Sequence, residues 1–161
     1  MNKSLHKIIA NFEEIIAAIF IIITTILVIM NIIMRYILNT GIIWSEEVAT
    51  GCFVWAVFIG AVACFKRKAH VGVDIVANLL PGLAKTIVNL LVDIALLVIN
   101  GYMSYLSVLY LSTSYTKPTP VLGISSAYIS SSILVAFVLM TLYSLNFLYL
   151  DLRGKSTKEV I

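Results

Sequence analysis

Polar side chains recur along one side of an otherwise apolar segment. They are Thr86, Asn89, Asp93, Asn100, Ser104 and Ser107. At the ~100° per residue of an α-helix, all six fall within an arc of about 60°. Asp93 is the member that could carry chemistry, and a carboxylate near the centre of a membrane helix costs about 2.5–3.5 kcal/mol. We therefore expect the stripe to face protein or a wet cavity rather than lipid.

This stripe has two interpretations. An ion or proton site would use Asp93 directly, whereas a structural role would use the stripe for hydrogen bonds between helices or to a partner subunit. Cation sites usually gather several oxygen ligands, and Asp93 is the only acidic residue well inside a predicted span. The structural interpretation is favoured, with Asn89, Asp93 and Asn100 as interaction candidates.

Charge is also concentrated in the stretch RYILNTGIIWSEEVATG, which begins at Arg35 and joins two apolar runs. In an antiparallel helix pair, Arg35 at the end of one helix approaches Glu46 and Glu47 at the start of the next. Acidic residues suit a helix N-terminus, Ser45 is a candidate cap, and Trp44 fits the interfacial aromatic belt. We predict that Arg35 pairs with Glu46 or Glu47; ordinary capping and interfacial snorkelling is the alternative.

Other reactive residue types are sparse. His70 and Asp74 are four residues apart and fit one face of a helix, but two ligands do not make a metal site. A local hydrogen bond or a docking contact is the favoured role of this pair. His6 and His70 are the only histidines, and both fall outside the predicted spans, which disfavours a haem-bearing redox anchor. We predict no catalytic group, no metal and no cofactor.

The elements that position these residues are predicted to be membrane helices. The chain of 161 residues is 61% hydrophobic and 12% charged, whereas soluble domains are about 45–50% apolar. Four continuous apolar runs are long enough to cross ~30 Å of hydrocarbon, at residues 15–34, 48–65, 87–111 and 127–150. Strands of a β-barrel would be short and alternating, so we predict one all-α domain of four transmembrane helices.

The placement of Lys and Arg orients these spans. Arg35 and Lys117 fall on one side of the membrane, and the other nine basic residues fall on the side of the two termini. Both termini are therefore predicted to be cytoplasmic. An amphipathic N-terminal extension of helix 1 and a short interfacial segment between helices 2 and 3 complete the expected architecture.

The second predicted helix carries small residues on one side. They are Ala49, Cys52, Ala56, Gly60 and Ala63. Small residues at this spacing let membrane helices approach closely although no hydrophobic driving force acts between them. This is a packing face, either within the chain or against a partner.

Short motifs in a fixed order resemble the DctQ-like small membrane subunit of tripartite ATP-independent periplasmic (TRAP) transporters. They are RY from Arg35, WSEE from Trp44, Trp55, GA from Gly60, His70, VD ending at Asp74, and the outer turn TPVLGISSAY at 119–128. The family often has Pro where this chain has Ser125. The resemblance covers nearly the whole chain and adds Trp55 and Gly60 to the interaction candidates.

The resemblance implies a non-enzymatic subunit of a transporter in the bacterial inner membrane. Its expected partners are a large multi-span TRAP subunit with the sodium and substrate sites, a periplasmic substrate-binding protein and surrounding phospholipids, but no nucleic acid. The cargo would be an organic anion, such as a C4-dicarboxylate or sialic acid. The large subunit is thought to work as an elevator, and the small subunit would enlarge its static scaffold.

Two other classes compete with this interpretation. A stand-alone four-helix exporter of the small multidrug type uses a membrane-embedded Glu, which invites comparison with Glu13 and Glu14. Both residues precede the apolar run, near the predicted cytoplasmic interface, so that class requires one of them to titrate in a central cavity. The other class is a membrane anchor subunit of a different complex. Neighbouring reading frames would separate these classes.

Overall fold

The computed structural model describes residues 11–67 and 83–152, with side chains from residue 87 in the second range. Four helices dominate these ranges: α1 Phe12–Ile37, α2 Ile43–Lys66, α3 Leu83–Ser114 and α4 Ala127–Leu152. All four are long and apolar enough to cross a membrane. This confirms the predicted all-α fold with four transmembrane helices. The predicted N-terminal extension and interfacial segment fall on residues outside the described ranges.

The turn between α1 and α2 shows why α1 ends where it does. Asn39 adopts a left-handed conformation (φ 52°), and the N–H groups of Leu38 and Thr40 both donate to the Met34 carbonyl, at 3.1 and 3.2 Å. Asn tolerates this conformation better than most residues, so it can replace Gly at a helix C-terminus. The left-handed Asn39 therefore accounts for the end of α1 at Ile37.

The start of α2 corrects the sequence prediction. The helix begins at Ile43, five residues before the predicted apolar span, and Ser45 lies inside its first turn. Ser45 donates its hydroxyl to the Ile42 carbonyl at 2.7 Å, so it is not the cap. Instead the side-chain oxygen of Asn31, on α1, accepts the Ile42 N–H at 3.0 Å. A residue of the neighbouring helix thus satisfies a backbone donor at this helix start.

The helices pack as a row in the order α1, α2, α4, α3. Extensive contacts join α1 to α2, α2 to α4, and α4 to α3. Because α2 has a neighbour on each side, it carries most of the buried apolar side chains, including Ala56, Ile59 and Val62. Among the described residues, α1 and α3 each pack extensively on a single neighbour, so each exposes a long apolar face.

The small-residue face of α2 packs within the chain. A Cβ added at Gly60 would lie 3.9 Å from the Cβ of Ala17 on α1. About two helical turns further along α1, the Thr24 hydroxyl reaches the Ala49 carbonyl at 3.4 Å. Cys52 on this face is half-buried. The face predicted from small residues is therefore the α1–α2 contact.

An ordered turn connects α3 to α4. The Thr119 N–H donates to the Ile124 carbonyl at 2.7 Å, and the Gly123 N–H donates back to the Thr119 carbonyl at 3.1 Å. Gly123 has φ +66°, which only Gly adopts without strain. The Ser125 hydroxyl accepts the N–H of Ala127 at 3.2 Å and so satisfies a donor at the start of α4.

Candidate functional site

The ends of α1 and α2 at their connecting turn, which the charge distribution predicts to be the outer ends, bring together the charged residues singled out in the sequence. Arg35 Nη1 lies 3.9 Å from Glu46 Oε1, and both side chains are about two-thirds exposed (69% and 65%). The closer partner of Glu46 is Asn31, whose amide donates to the same Oε1 at 3.1 Å. Exposed pairs contribute about 0–1 kcal/mol. Arg35 and Glu46 therefore meet, but weakly.

Glu47 points to a different element. Its Oε2 accepts the backbone N–H groups of Val121 at 2.9 Å and Leu122 at 3.3 Å, both in the turn between α3 and α4. Hydrogen bonds to an ionised acceptor are stronger than neutral ones. Glu47 thus fastens this turn to the start of α2, and the motifs WSEE and TPVLGISSAY meet in space.

The tryptophan Trp55 links three helices just below that contact. Its indole N–H donates to the Tyr128 carbonyl at 3.2 Å, and its ring stacks on Phe20 of α1 at a centroid separation of 5.8 Å. Trp55 is half-buried, and the Tyr128 carbonyl satisfies its N–H. Trp44, in contrast, lies in the first turn of α2 with its side chain exposed.

The polar stripe of α3 faces α4. Three of its members are buried, Asp93, Asn100 and Ser107, and the same seven-residue spacing leads on to the buried Ser114. The amide of Asn100 donates to the hydroxyl of Ser144 on α4 at 3.3 Å, while Asn89 is half-buried. The stripe therefore lies in the contact between α3 and α4. Asn100 forms the interhelical hydrogen bond that the structural interpretation expects.

A charge cluster around the buried Glu13 joins α1, α2 and α4 at the opposite end from Arg35. Glu13 is 8% exposed, and its Oε2 lies 3.0 Å from Lys66 Nζ. The Tyr143 hydroxyl donates to the other carboxylate oxygen. Lys66 Nζ also lies 5.6 Å from the centre of the Tyr143 ring, within cation–π range. We call these three residues the inner cluster, because the charge distribution along the sequence predicts that this end lies on the cytoplasmic side.

The exposed ion pair Glu14–Arg67 lies beside the inner cluster. In the two pairs, the consecutive acids Glu13 and Glu14 at the start of α1 contact the consecutive bases Lys66 and Arg67 at the end of α2. Neither pair was predicted from the sequence, although the antiparallel packing that predicts the Arg35 contact brings these residues together in the same way. Antiparallel packing therefore could have predicted both pairs, whereas no sequence signal marks Tyr143, which is 130 residues from Glu13.

The remaining candidates add no chemical centre. His70 and Asp74 lie outside the described residues, and Gly60 is part of the α1–α2 contact. Within residues 11–67 and 83–152, no three His, Cys, Asp or Glu side chains are grouped to hold a metal ion. Cys52 and Cys64 are free thiols. The arrangement of the described polar groups is suited to holding helices together.

These features define a multi-pass membrane protein in which Glu13 and Asn100 form hydrogen bonds to neighbouring helices. Residues 24–154 match the family model of the tripartite ATP-independent periplasmic transporters, DctQ component. The chain therefore belongs to this family of transporter permease subunits, and it is not an enzyme. The resemblance inferred from the motifs is confirmed.

Related proteins agree with this assignment. A TRAP transporter small permease protein of Haemophilus influenzae is 33% identical over 112 residues, covering 70% of this chain and 68% of the relative. The sialic acid TRAP transporter small permease protein SiaQ of Vibrio cholerae is 31% identical over 144 residues, covering 89% and 83%. The sialic acid TRAP transporter permease protein SiaT of H. influenzae is 25% identical over 114 residues, which cover 71% of this chain but 18% of that protein.

Proposed function

We propose that this chain is a scaffold for the large permease subunit of a sodium-coupled TRAP transporter that imports an organic anion. The observation that carries the proposal is how the chain uses its buried polar groups. Glu13 is held by Lys66 and Tyr143, and Asn100 is bonded to Ser144. Groups engaged in joining helices are poorly placed to bind and release an ion. The transport site is accordingly assigned to the partner.

The cargo and the other partners follow from the family. The anion is a carboxylate such as sialic acid or a C4-dicarboxylate; two similar proteins are named for sialic acid transport. A periplasmic substrate-binding protein delivers it, and phospholipids of the bacterial inner membrane surround the complex. Trp44, exposed in the first turn of α2, is suited to the periplasmic interface of the inner membrane.

A stand-alone exporter is disfavoured by the inner cluster. Such a protein needs a membrane carboxylate that exchanges protons with a central cavity. Glu13 instead lies 3.0 Å from the Lys66 ammonium group and accepts a hydrogen bond from the Tyr143 hydroxyl. Glu14 has Arg67 as its partner. That class requires a Glu that titrates in a central cavity, and both Glu13 and Glu14 are instead paired with basic side chains.

Orientation is part of the proposal and has its own test. Both termini are assigned to the cytoplasm, so Asn39 faces the periplasm and Ala69 the cytoplasm. Single cysteines at these positions, in a Cys52→Ser/Cys64→Ser background, can be labelled in intact cells with a membrane-impermeant maleimide. Labelling at position 39 with protection at position 69 is expected; the reverse pattern would invert the topology.

Reconstitution in liposomes tests whether the large subunit carries out transport and this chain only supports it. Liposomes containing this chain alone should accumulate no sialic acid or C4-dicarboxylate under an inward sodium gradient. Liposomes containing the chain, its large permease partner and the substrate-binding protein should accumulate one of them, and replacing sodium by potassium should abolish uptake. Uptake by the chain alone would overturn the scaffold assignment, and sodium-independent uptake by the complete system would overturn the coupling.

A further inference from the structure

A row of isoleucines runs along the exposed side of α1. Its members alternate at steps of four and three residues: Ile15, Ile19, Ile22, Ile26, Ile29 and Ile33. Each side chain is between 41% and 59% exposed. We call this surface the isoleucine stripe. From Ile15 to Ile33 it extends ~27 Å at ~1.5 Å per residue, close to the ~30 Å of a hydrocarbon core.

The stripe lies opposite the contacts that α1 makes inside the chain. Ala17, Thr24 and Asn31 face α2, and at ~100° per residue they occupy one side of the helix. The six isoleucines are centred about 160° from Ala17 by the same rotation. α1 is also the end of the helix row, so no described helix packs extensively on this side.

The composition of the stripe favours a helix over lipid as its neighbour. Acyl chains are fluid and require no particular apolar residue, and the exposed face of α3 varies accordingly, with Leu91, Val98 and Tyr102. The α1 face repeats a single β-branched residue. Ile has one strongly preferred χ1 rotamer in a helix, so little side-chain entropy is lost when it packs. Helix association in membranes depends on such van der Waals packing.

The chain also holds α1 in a fixed position. Glu13 at its inner end is bound to α2 and α4 through Lys66 and Tyr143, and Asn31 near its outer end is bonded to Ile42 and Glu46. A ridge fixed at both ends is preorganised for docking. Its length matches a neighbour that crosses the whole bilayer rather than a soluble protein.

We propose that the isoleucine stripe packs against a membrane-spanning helix of the large permease subunit. This inference rests on the proposed function, which supplies the partner, and it specifies the surface. The permease protein SiaT supports the choice of partner over a second copy of this chain. There the similar segment is only 18% of the protein, so a segment like this chain is covalently joined to a much larger remainder.

Site-specific photo-crosslinking of the co-expressed complex tests this surface. A benzoylphenylalanine at Ile22 or Ile26 should give an adduct with the large permease subunit after irradiation. The same group at Leu91 or Val98, which are equally exposed on α3, serves as the matched control and should give none. Adducts with the large subunit from α3 alone, or adducts between two copies of this chain from α1, would overturn the inference.

Substitution provides a second readout. The large subunit that co-purifies with an affinity-tagged version of this chain can be measured for each variant. Ile22→Trp and Ile26→Trp overfill a packed seam, so each should retain about tenfold less large subunit than the wild type. Val98→Trp should retain the wild-type amount. Equal retention by all three variants would overturn the inference while leaving the proposed function intact. If the wild-type chain retains no large subunit at all, the proposed function itself fails.

Discussion

The two ends of the α1–α2 hairpin carry ion pairs of the same origin but different character. At the inner end, Lys66 and Glu13 are 3.0 Å apart with side chains 22% and 11% exposed. At the outer end, Arg35 and Glu46 are 3.9 Å apart and mostly exposed. Antiparallel packing produces both pairs, because it aligns the start of one helix with the end of the other. Burial determines which pair holds the helices together.

Loss of one partner has different consequences at the two ends. A charge left alone at the outer end is solvated by water, so little free energy is lost. A charge left alone in the inner cluster keeps its desolvation penalty and loses its counter-charge. Tyr143 increases the contrast, because its hydroxyl bonds the same carboxylate from a third helix. The inner cluster should therefore dominate the electrostatic contribution to stability.

The largest effect is expected from Glu13→Ala. This substitution removes the counter-charge of Lys66, and breaking a buried pair costs about 3–5 kcal/mol. The melting temperature of the purified protein in detergent should fall substantially. Glu14→Ala is the matched control, because Glu14 is adjacent in sequence but its pair with Arg67 is more exposed. Equal melting temperatures for the two variants would show that burial does not make the Glu13–Lys66 pair more stabilising than the Glu14–Arg67 pair.

Tyr143→Phe should have the next largest effect. It removes the hydroxyl that bonds Glu13 but keeps the ring that stacks on Phe147 at 6.5 Å. Hydrogen bonds to charged groups contribute about 1.5–3 kcal/mol. Combined with Glu13→Ala in a double-mutant cycle, the two changes should be less than additive. Strict additivity would mean that the hydroxyl acts independently of the carboxylate.

A smaller effect is expected in the α3–α4 seam. Asn100→Leu keeps most of the side-chain volume and removes the bond to Ser144. Ser144 retains its bond to the Met140 carbonyl at 2.9 Å, so no donor is stranded. Interhelical hydrogen bonds in membranes average about 0.6 kcal/mol and reach about 1.7. Thermal unfolding of Asn100→Leu should show a loss of stability in this range. Val98→Leu, on the exposed side of α3, is the control and should lose no stability.

Arg35→Ala should have the smallest effect on stability. The pair is exposed, and Asn31 remains as a partner of Glu46, so the expected loss is about 0–1 kcal/mol. The small effect should shrink further in high salt, because exposed charges are screened. A loss as large as that of Glu13→Ala would contradict the contrast between the two ends.

The fold could be predicted from sequence because each span is a continuous apolar run. The exact start of α2 could not, because Ser45 and the acidic residues after it indicate a helix that starts at Glu46, three residues later than the observed start at Ile43. Asn31, eleven residues earlier, satisfies the amide of Ile42. Hydropathy along one segment contains no information about a donor or acceptor supplied by another helix.

The candidate site was predictable only where it follows from the hairpin. Arg35 and Glu46 are close because α1 and α2 are antiparallel, and the same reasoning leads to Glu13 and Lys66. The partners of Glu47 are different: they are backbone amides of Val121 and Leu122. Every residue except Pro has such an amide, so side-chain identity does not mark the contact.

The scaffold role is tested most directly by locking α1 to α2. A Cβ at Gly60 would lie 3.9 Å from that of Ala17, within the ~3.5–4.5 Å range of disulfides. Ala17→Cys/Gly60→Cys, in a Cys52→Ser/Cys64→Ser background, should form the bond on oxidation of the assembled transporter.

Uptake of the organic anion by proteoliposomes should then be equal before and after oxidation, because a static scaffold needs no movement between these helices. The single Ala17→Cys variant controls for oxidation of the other subunits. Uptake that is lost on oxidation of the double variant alone, and restored by dithiothreitol, would contradict a static scaffold.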